Sequence, residues 1–259
     1  MPITNPIRNR WSDGRPARGL FSSIPSPLVA ELLGSSGVEF VCFDLQHGAS
    51  DGGESLAAQL IACWAGGAAP LVRPQSNLAW QIGKALDLGA FGVIVPMVSS
   101  AQEAAAAVAA CRYPPHGGRS YGPLRIAGVV GSGEPGQLER EAMCFAMVET
   151  QEALERVDEI AHTPGLDGIY IGPSDLGVAL GLGPRAYDNP VHLAATARIR
   201  SACEAAGIVP GIHCLNTTQA RQREAEGFRL ITIGADTAFL RDGAAQALAD
   251  SDSRVSLTS

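Results

Sequence analysis

Eight short apolar runs, each followed by an Ala/Leu/Glu-rich stretch of helical length, recur along this chain of 259 residues. That alternation constrains the fold more than any other feature, because parallel strands need a long crossover between them and a helix is the usual one. The strand candidates are Gly19 to Ile24, Phe40 to Gln46, Pro70 to Arg73, Gly92 to Met97, Cys144 to Glu149, Gly168 to Ile171, Val209 to Cys214 and Leu230 to Gly234. Several are apolar nearly throughout, as strands covered on both faces are. Helices are expected over Pro27 to Leu33, Glu54 to Ala65, Leu78 to Leu88, Ala101 to Cys111, Gln151 to Ala161, Val191 to Ala205, Thr217 to Glu226 and Thr237 to Ala249. Asn77, Ser100 and Asn216 are suited to N-caps, and Gly89, Gly207 and Gly227 to the ends of helices. Eight such units predict an α/β fold closed into a single (β/α)8 TIM barrel, for which roughly 250 residues is typical. No GxGxxG run follows the first strand, which argues against an open dinucleotide-binding sheet and a nucleotide cofactor. One domain over residues 1–259 is expected, with about residues 1–16 as an N-terminal extension and 251–259 as a frayed polar tail.

Charge and composition remove other classes. With 19 Lys+Arg against 26 Asp+Glu the formal charge is −7, so no basic face for nucleic acid is expected. No apolar run reaches the length of a membrane span, and the arginine-bearing N-terminus has no secretory core, so a cytoplasmic protein is expected. Cys42, Cys63, Cys111, Cys144, Cys203 and Cys214 form no CxxC pair and lie in apolar stretches, which suits reduced, buried thiols rather than zinc ligands. Lys84 is the sole lysine and falls within a helix, which disfavours Schiff-base chemistry. Two connections, Tyr113 to Met143 and Gly172 to Pro190, are too long for ordinary turns and read as lids, binding elements or subunit contacts.

Chemistry in such a barrel is expected at the C-terminal ends of the strands. The second strand runs out through Asp44, Gln46, His47 and Gly48, the third through Arg73, the fifth through Glu149, and the sixth through Gly172, Ser174 and Asp175. Glu149 and Asp175, from adjacent strands, are placed to share a divalent cation, and oxygen-only ligation favours Mg2+ or Mn2+, with Co2+ a further candidate. The competing structural reading makes Asp175 a helix cap. Asp44 stands three residues before His47, as in an acid/base pair, and Arg73 suits a carboxylate or a developing enolate. His116, His162, His192 and His213 read as structural.

These strand ends resemble the metal-dependent pyruvate aldolases of the HpcH/HpaI family. The matching runs are Phe43-Asp44-Leu45-Gln46-His47-Gly48, Leu71-Val72-Arg73-Pro74, Val95-Pro96-Met97-Val98, Arg112-Tyr113-Pro114-Pro115, Val148-Glu149-Thr150 and Gly168 to Leu176. The resemblance implies a homo-oligomer, commonly a hexamer, in which Glu149 and Asp175 hold the metal. It places Arg73 against a substrate keto oxygen, makes His47 with Asp44 the acid/base pair, and puts the substrate carboxylate at backbone amides near Gly172 and Ser174. The chain departs from many members at Gln46 and Met147, where they carry Glu and Gln. The implied reaction is reversible cleavage of a 4-hydroxy-2-oxo acid to pyruvate, or a close 2-oxo acid, and an aldehyde through a metal-stabilised enolate. Two alternatives stand beside it: a lyase acting on acyl-CoA substrates, and a non-catalytic carboxylate-binding barrel.

Overall fold

Period-two alternation of side chains builds the centre of the molecule. The computed structural model describes residues 4–50 and 52–255. Its strands are β1 (Ala17–Ser22), β2 (Phe40–Asp44), β3 (Ala69–Arg73), β4 (Gly92–Val95), β5 (Met143–Val148), β6 (Gly168–Ile171), β7 (Val209–His213) and β8 (Leu230–Ala235). All pairings are parallel and follow sequence order, with β8 closing onto β1, so the barrel is the (β/α)8 fold that the alternation predicts.

The helices are α1 (Pro6–Ser12), α2 (Pro27–Gly34), α3 (Glu54–Gly66), α4 (Ala79–Asp87), α5 (Ala101–Cys111), α6 (Ile126–Val130), α7 (Pro135–Glu141), α8 (Gln151–Glu155), α9 (Val157–Ala161), α10 (Pro173–Ala179), α11 (Pro190–Ala206), α12 (Thr217–Ala225) and α13 (Asp236–Val255). Ser100 and Asn216 cap α5 and α12 through their side chains. Asn77 does not cap α4: Leu78 occupies that position, and the Asn77 amide donates to the Glu103 carbonyl instead, 2.9 Å away. The single helix expected from Gln151 to Ala161 is interrupted at Arg156, giving α8 and α9. At the C-terminus α13 continues to Val255, so the first part of the tail expected to fray is helical, and residues 256–259 lie outside the described residues.

Two apolar layers follow from the alternation. Phe40, Cys42, Ala69, Leu71, Met143, Phe145, Met147, Tyr170 and Leu230 point into the barrel, where Ile7 of α1 joins them. The intervening residues, such as Val41, Phe43, Val72, Cys144, Ala146, Ile169, Ile171 and Ile231, pack outward against the helices. Inward aromatics need space from neighbouring strands: a Cβ on Gly211 would stand 2.7 Å from the Tyr170 ring. All six cysteines are free and buried.

The stretch from Tyr113 to Met143 folds α6 and α7 over a small cluster of Tyr113, Ile126, Val130 and Leu138. Arg119 ties it to α4 through a 2.6 Å ion pair with Asp87, its guanidinium lying over the Tyr113 ring. Among the described residues no helix is long and apolar enough to cross a membrane.

Candidate active site

The inward parity of β2, β3 and β5 brings Asp44, Arg73 and Glu149 to the same end of the barrel, just above its apolar interior. Asp44 and Arg73 are register partners on adjacent strands, so their side chains meet directly. Arg73 Nε lies 2.9 Å from Asp44 Oδ1 and Nη2 lies 2.6 Å from Oδ2, a bidentate pair in which both residues are buried. Burial alone would depress the Arg73 pKa, but the hydrogen bond and charge of Asp44 carry it above its ordinary value. Among the described residues its remaining nitrogen, Nη1, has only the Met147 sulfur, at 3.9 Å, and the guanidinium carbon lies 5.1 Å from the Phe21 ring centroid.

This arrangement corrects the expected link between Asp44 and the His47 ring. Asp44 Oδ1 instead accepts the backbone N–H of Gln46 at 3.0 Å and of His47 at 3.2 Å, with Arg73 on the same atom. Arg73 takes the carboxylate because it sits in register with it, whereas His47 lies beyond the strand end with its ring exposed. Asp44 therefore sets the backbone that carries His47, and the imidazole reaches the cavity independently.

Glu149 is 2% exposed, and its two oxygens have different surroundings. Oε1 accepts the Met97 N–H at 2.8 Å, while Oε2 is buried with no hydrogen-bond partner among the described residues. Burial raises the Glu149 pKa from 4.5 to about 7; the Met97 N–H opposes that rise and the Asp175 carboxylate reinforces it. Met97 donates from a left-handed backbone, φ 57°, which a non-glycine residue adopts only at an energetic cost. Gly172 leaves room beside it, since a Cβ there would stand 2.4 Å from Glu149 Oε2 and would force that oxygen to move.

Asp175 lies in the first turn of α10, whose N-cap is Gly172, and among the described residues no side-chain cap bond is made there, so the capping reading of Asp175 is not what the structure displays. The start of α10 is held by His192, whose Nε2 donates to the Pro173 carbonyl at 2.8 Å, and by a 2.7 Å bond between the hydroxyls of Ser174 and Tyr187.

Above them lies a cavity of about 250 Å3, with Phe21, Ser23, Asp44, His47, Arg73, Met147, Gly172, Ser174, Asp175 and His213 in its wall. A larger open groove, about 760 Å3, lies at the opposite end of the barrel, but two of its three arginines, Arg8 and Arg112, are already bound to Asp167.

The donor set fits a hard divalent cation. A buried, unpartnered carboxylate oxygen beside a second carboxylate is an arrangement a cation would relieve. Among the described residues no group of three or more His, Cys, Asp or Glu side chains is placed to hold a metal. Two carboxylates with the remaining positions left to water and substrate is how Mg2+ is commonly held, and it is not a zinc site.

A profile of the HpcH/HpaI aldolase/citrate lyase family matches residues 18–243. The chain belongs to that family. It is 40% identical over 247 residues to a hydroxypyruvate/pyruvate aldolase of Rhizorhabdus wittichii, covering 95% of this chain and 98% of that relative. It is 36% identical to a 4-hydroxy-2-oxo-heptane-1,7-dioate aldolase of Salmonella arizonae, covering 93% of this chain and 92% of the other. Among solved structures, an HpcH/HpaI aldolase/citrate lyase family protein of Burkholderia cenocepacia superposes with a TM-score of 0.88 at 31% identity, over 96% of this chain and 100% of that one. Like these aldolases, the protein is a carbon–carbon lyase. HpcH/HpaI aldolases depend in general on a divalent metal.

Two residues at the site escape sequence reasoning in different ways. Met97 acts through its backbone N–H, which residue type does not reveal. His213 was legible in principle, because it shares parity with the inward Val209 on the same strand, yet one histidine in an apolar run gives no sign of the cavity above it.

Proposed function

We propose that the protein reversibly cleaves 4-hydroxy-2-oxo acids into a pyruvate-type 2-oxo acid and an aldehyde, using Mg2+ or Mn2+ held by Glu149 and Asp175. The observation that supports this most is the buried Oε2 of Glu149, without a hydrogen-bond partner among the described residues, beside Asp175, which lines the cavity together with Arg73. When bound there, the cation supplies Lewis-acid polarisation of the substrate carbonyl. Arg73 is held rigidly by Asp44 through two of its nitrogens, which leaves Nη1 to donate to the keto oxygen as negative charge develops on it. The backbone amides at the start of α10, near Gly172 and Ser174, receive the substrate carboxylate.

His47 removes the proton of the C4 hydroxyl as the C3–C4 bond breaks, releasing the aldehyde and leaving the electron pair as an enolate. Net transfer of that proton from His47 to C3, directly or through water, then gives the 2-oxo acid and regenerates the neutral imidazole. Phe21 and Met147 form an apolar wall beside Arg73, which lowers the local dielectric and strengthens its interaction with the enolate oxygen. The relatives' names favour pyruvate and hydroxypyruvate as the released 2-oxo acids. A homo-hexameric, cytoplasmic enzyme completes the proposal, and exposed Phe239, Leu240 and Leu248 on α13 are apolar surface that subunit packing would cover.

The test is condensation of pyruvate with a panel of aldehydes, followed by chromatography of the 4-hydroxy-2-oxo acid, in Mn2+ and in EDTA. Product that forms with metal and is absent with EDTA is expected; no product from any aldehyde with metal-loaded protein would overturn the proposal.

A further inference from the structure

His213 stands in the cavity wall as part of a buried chain of polar groups that the reaction above does not use. Its Nδ1 lies 2.8 Å from Thr232 Oγ1, and that oxygen lies 2.7 Å from the Tyr170 hydroxyl. Strand register enforces the contact, since His213 and Thr232 are paired across β7 and β8. Tyr170 is wholly buried, and among the described residues its hydroxyl has no partner but Thr232.

Proton counting fixes the direction of the chain. A buried tyrosine hydroxyl must donate, so it donates to Thr232 Oγ1. Thr232 then donates its own proton to His213 Nδ1, the remaining acceptor. An imidazole that accepts at Nδ1 is neutral and carries its hydrogen on Nε2. That nitrogen has no hydrogen-bond partner among the described residues and is not sealed away, so it presents an N–H to the cavity. The ring is also fixed edge-on against Phe21, with centroids 5.3 Å apart at 89°.

We propose that His213 is a specificity-determining residue for the 2-oxo acid, donating from Nε2 to an oxygen substituent on C3 and so favouring hydroxypyruvate over pyruvate. The inference rests on the aldolase reading above and adds to it the residue that sorts the released or condensing 2-oxo acid. The arrangement of strand ends supports the placement. With the carboxylate and keto oxygens directed at α10, Glu149, Asp175 and Arg73, C3 is left facing the remaining arc of the wall, formed by β7, β8 and β1. In that arc Phe21 and Ala235 are apolar, Ser23 and His213 are polar, and the imidazole N–H, its ring fixed by Thr232 and Phe21, is the donor assigned to a C3 hydroxyl. A methyl in the same place leaves the donor unpaired, a mismatch expected to separate the two substrates by about tenfold or more.

The experiment compares kcat/KM for hydroxypyruvate and for pyruvate, with glycolaldehyde as common acceptor, in Mn2+-loaded wild type, His213→Leu and His213→Gln. In His213→Leu the hydroxypyruvate-to-pyruvate ratio should fall about tenfold or more. In His213→Gln, which keeps an N–H donor, most of the ratio should be retained, and this rescue separates hydrogen bonding from packing. An unchanged ratio in His213→Leu, or an equal loss on both donors in the two variants, would overturn the assignment while leaving the aldolase reading intact. If wild type turns over neither donor, the aldolase reading falls and the role of His213 with it.

Discussion

Replacing Glu149 by Gln in the metal-free protein should stabilise it in a pH-dependent way. The folded chain holds the Glu149 carboxyl at about 7 against an ordinary 4.5, mainly through burial. At about 1.4 kcal/mol for each tenfold change in an ionisation constant, that difference corresponds to about 3 kcal/mol. Because the folded value is raised, the sign is fixed. Well below pH 4.5 the carboxyl is protonated in both states and imposes no penalty. As pH rises from 4.5 to 7 the unfolded chain loses its proton first, and stability declines until the full penalty is reached above 7. Gln cannot ionise, but its Oε1 can still accept the Met97 N–H. Thermal unfolding in EDTA should therefore show wild type and variant alike near pH 4, with the variant about 6–12 °C higher at pH 8, using 2–4 °C per kcal/mol for a chain of this size. Mn2+ added at pH 8 should close the gap by raising wild type alone. A gap that is the same at every pH, or a variant that Mn2+ stabilises equally, would refute the reasoning.

Asp44→Ala strands the buried Arg73 guanidinium and removes the acceptor for two backbone N–H groups, so denaturant unfolding should show a loss of about 3–5 kcal/mol together with loss of turnover. Met97→Pro deletes the N–H on Glu149 Oε1 and cannot adopt φ 57°, so calorimetry should show metal affinity reduced by about tenfold or more, whereas Met97→Gly should bind metal as wild type does. Lys84 lies in α4 and outside the cavity wall, so Lys84→Arg should keep activity, and borohydride with pyruvate should leave no covalent adduct by mass spectrometry in wild type or variant.

The strands were legible because covered parallel strands are nearly uniform in polarity, and the observed bounds fall within two residues of those expected, with Gly168–Ile171 unchanged. Strand-end position was enough to gather Asp44, Arg73, Glu149 and Asp175, since a closed barrel sends those ends to one mouth. What the sequence withheld were the partners. Asp44 had two cationic or polar neighbours to choose between, His47 in sequence and Arg73 across the strand, and only register shows that Arg73 takes both oxygens. The roles of Met97 and His213 were hidden for related reasons. One acts through its backbone, and the other depends on Thr232 and Tyr170, which lie 19 and 43 positions away in sequence. The helix break at Arg156 has no evident sequence signal.

The most direct test of the central claim is proton NMR of pyruvate in heavy water with the purified protein, in Mg2+ and in EDTA. It reports enolisation at C3 without requiring the partner aldehyde. The account predicts loss of the methyl signal with Mg2+ and none with EDTA or with Glu149→Gln. Exchange that persists in EDTA, or no exchange in protein that calorimetry shows to be metal-loaded, would contradict it.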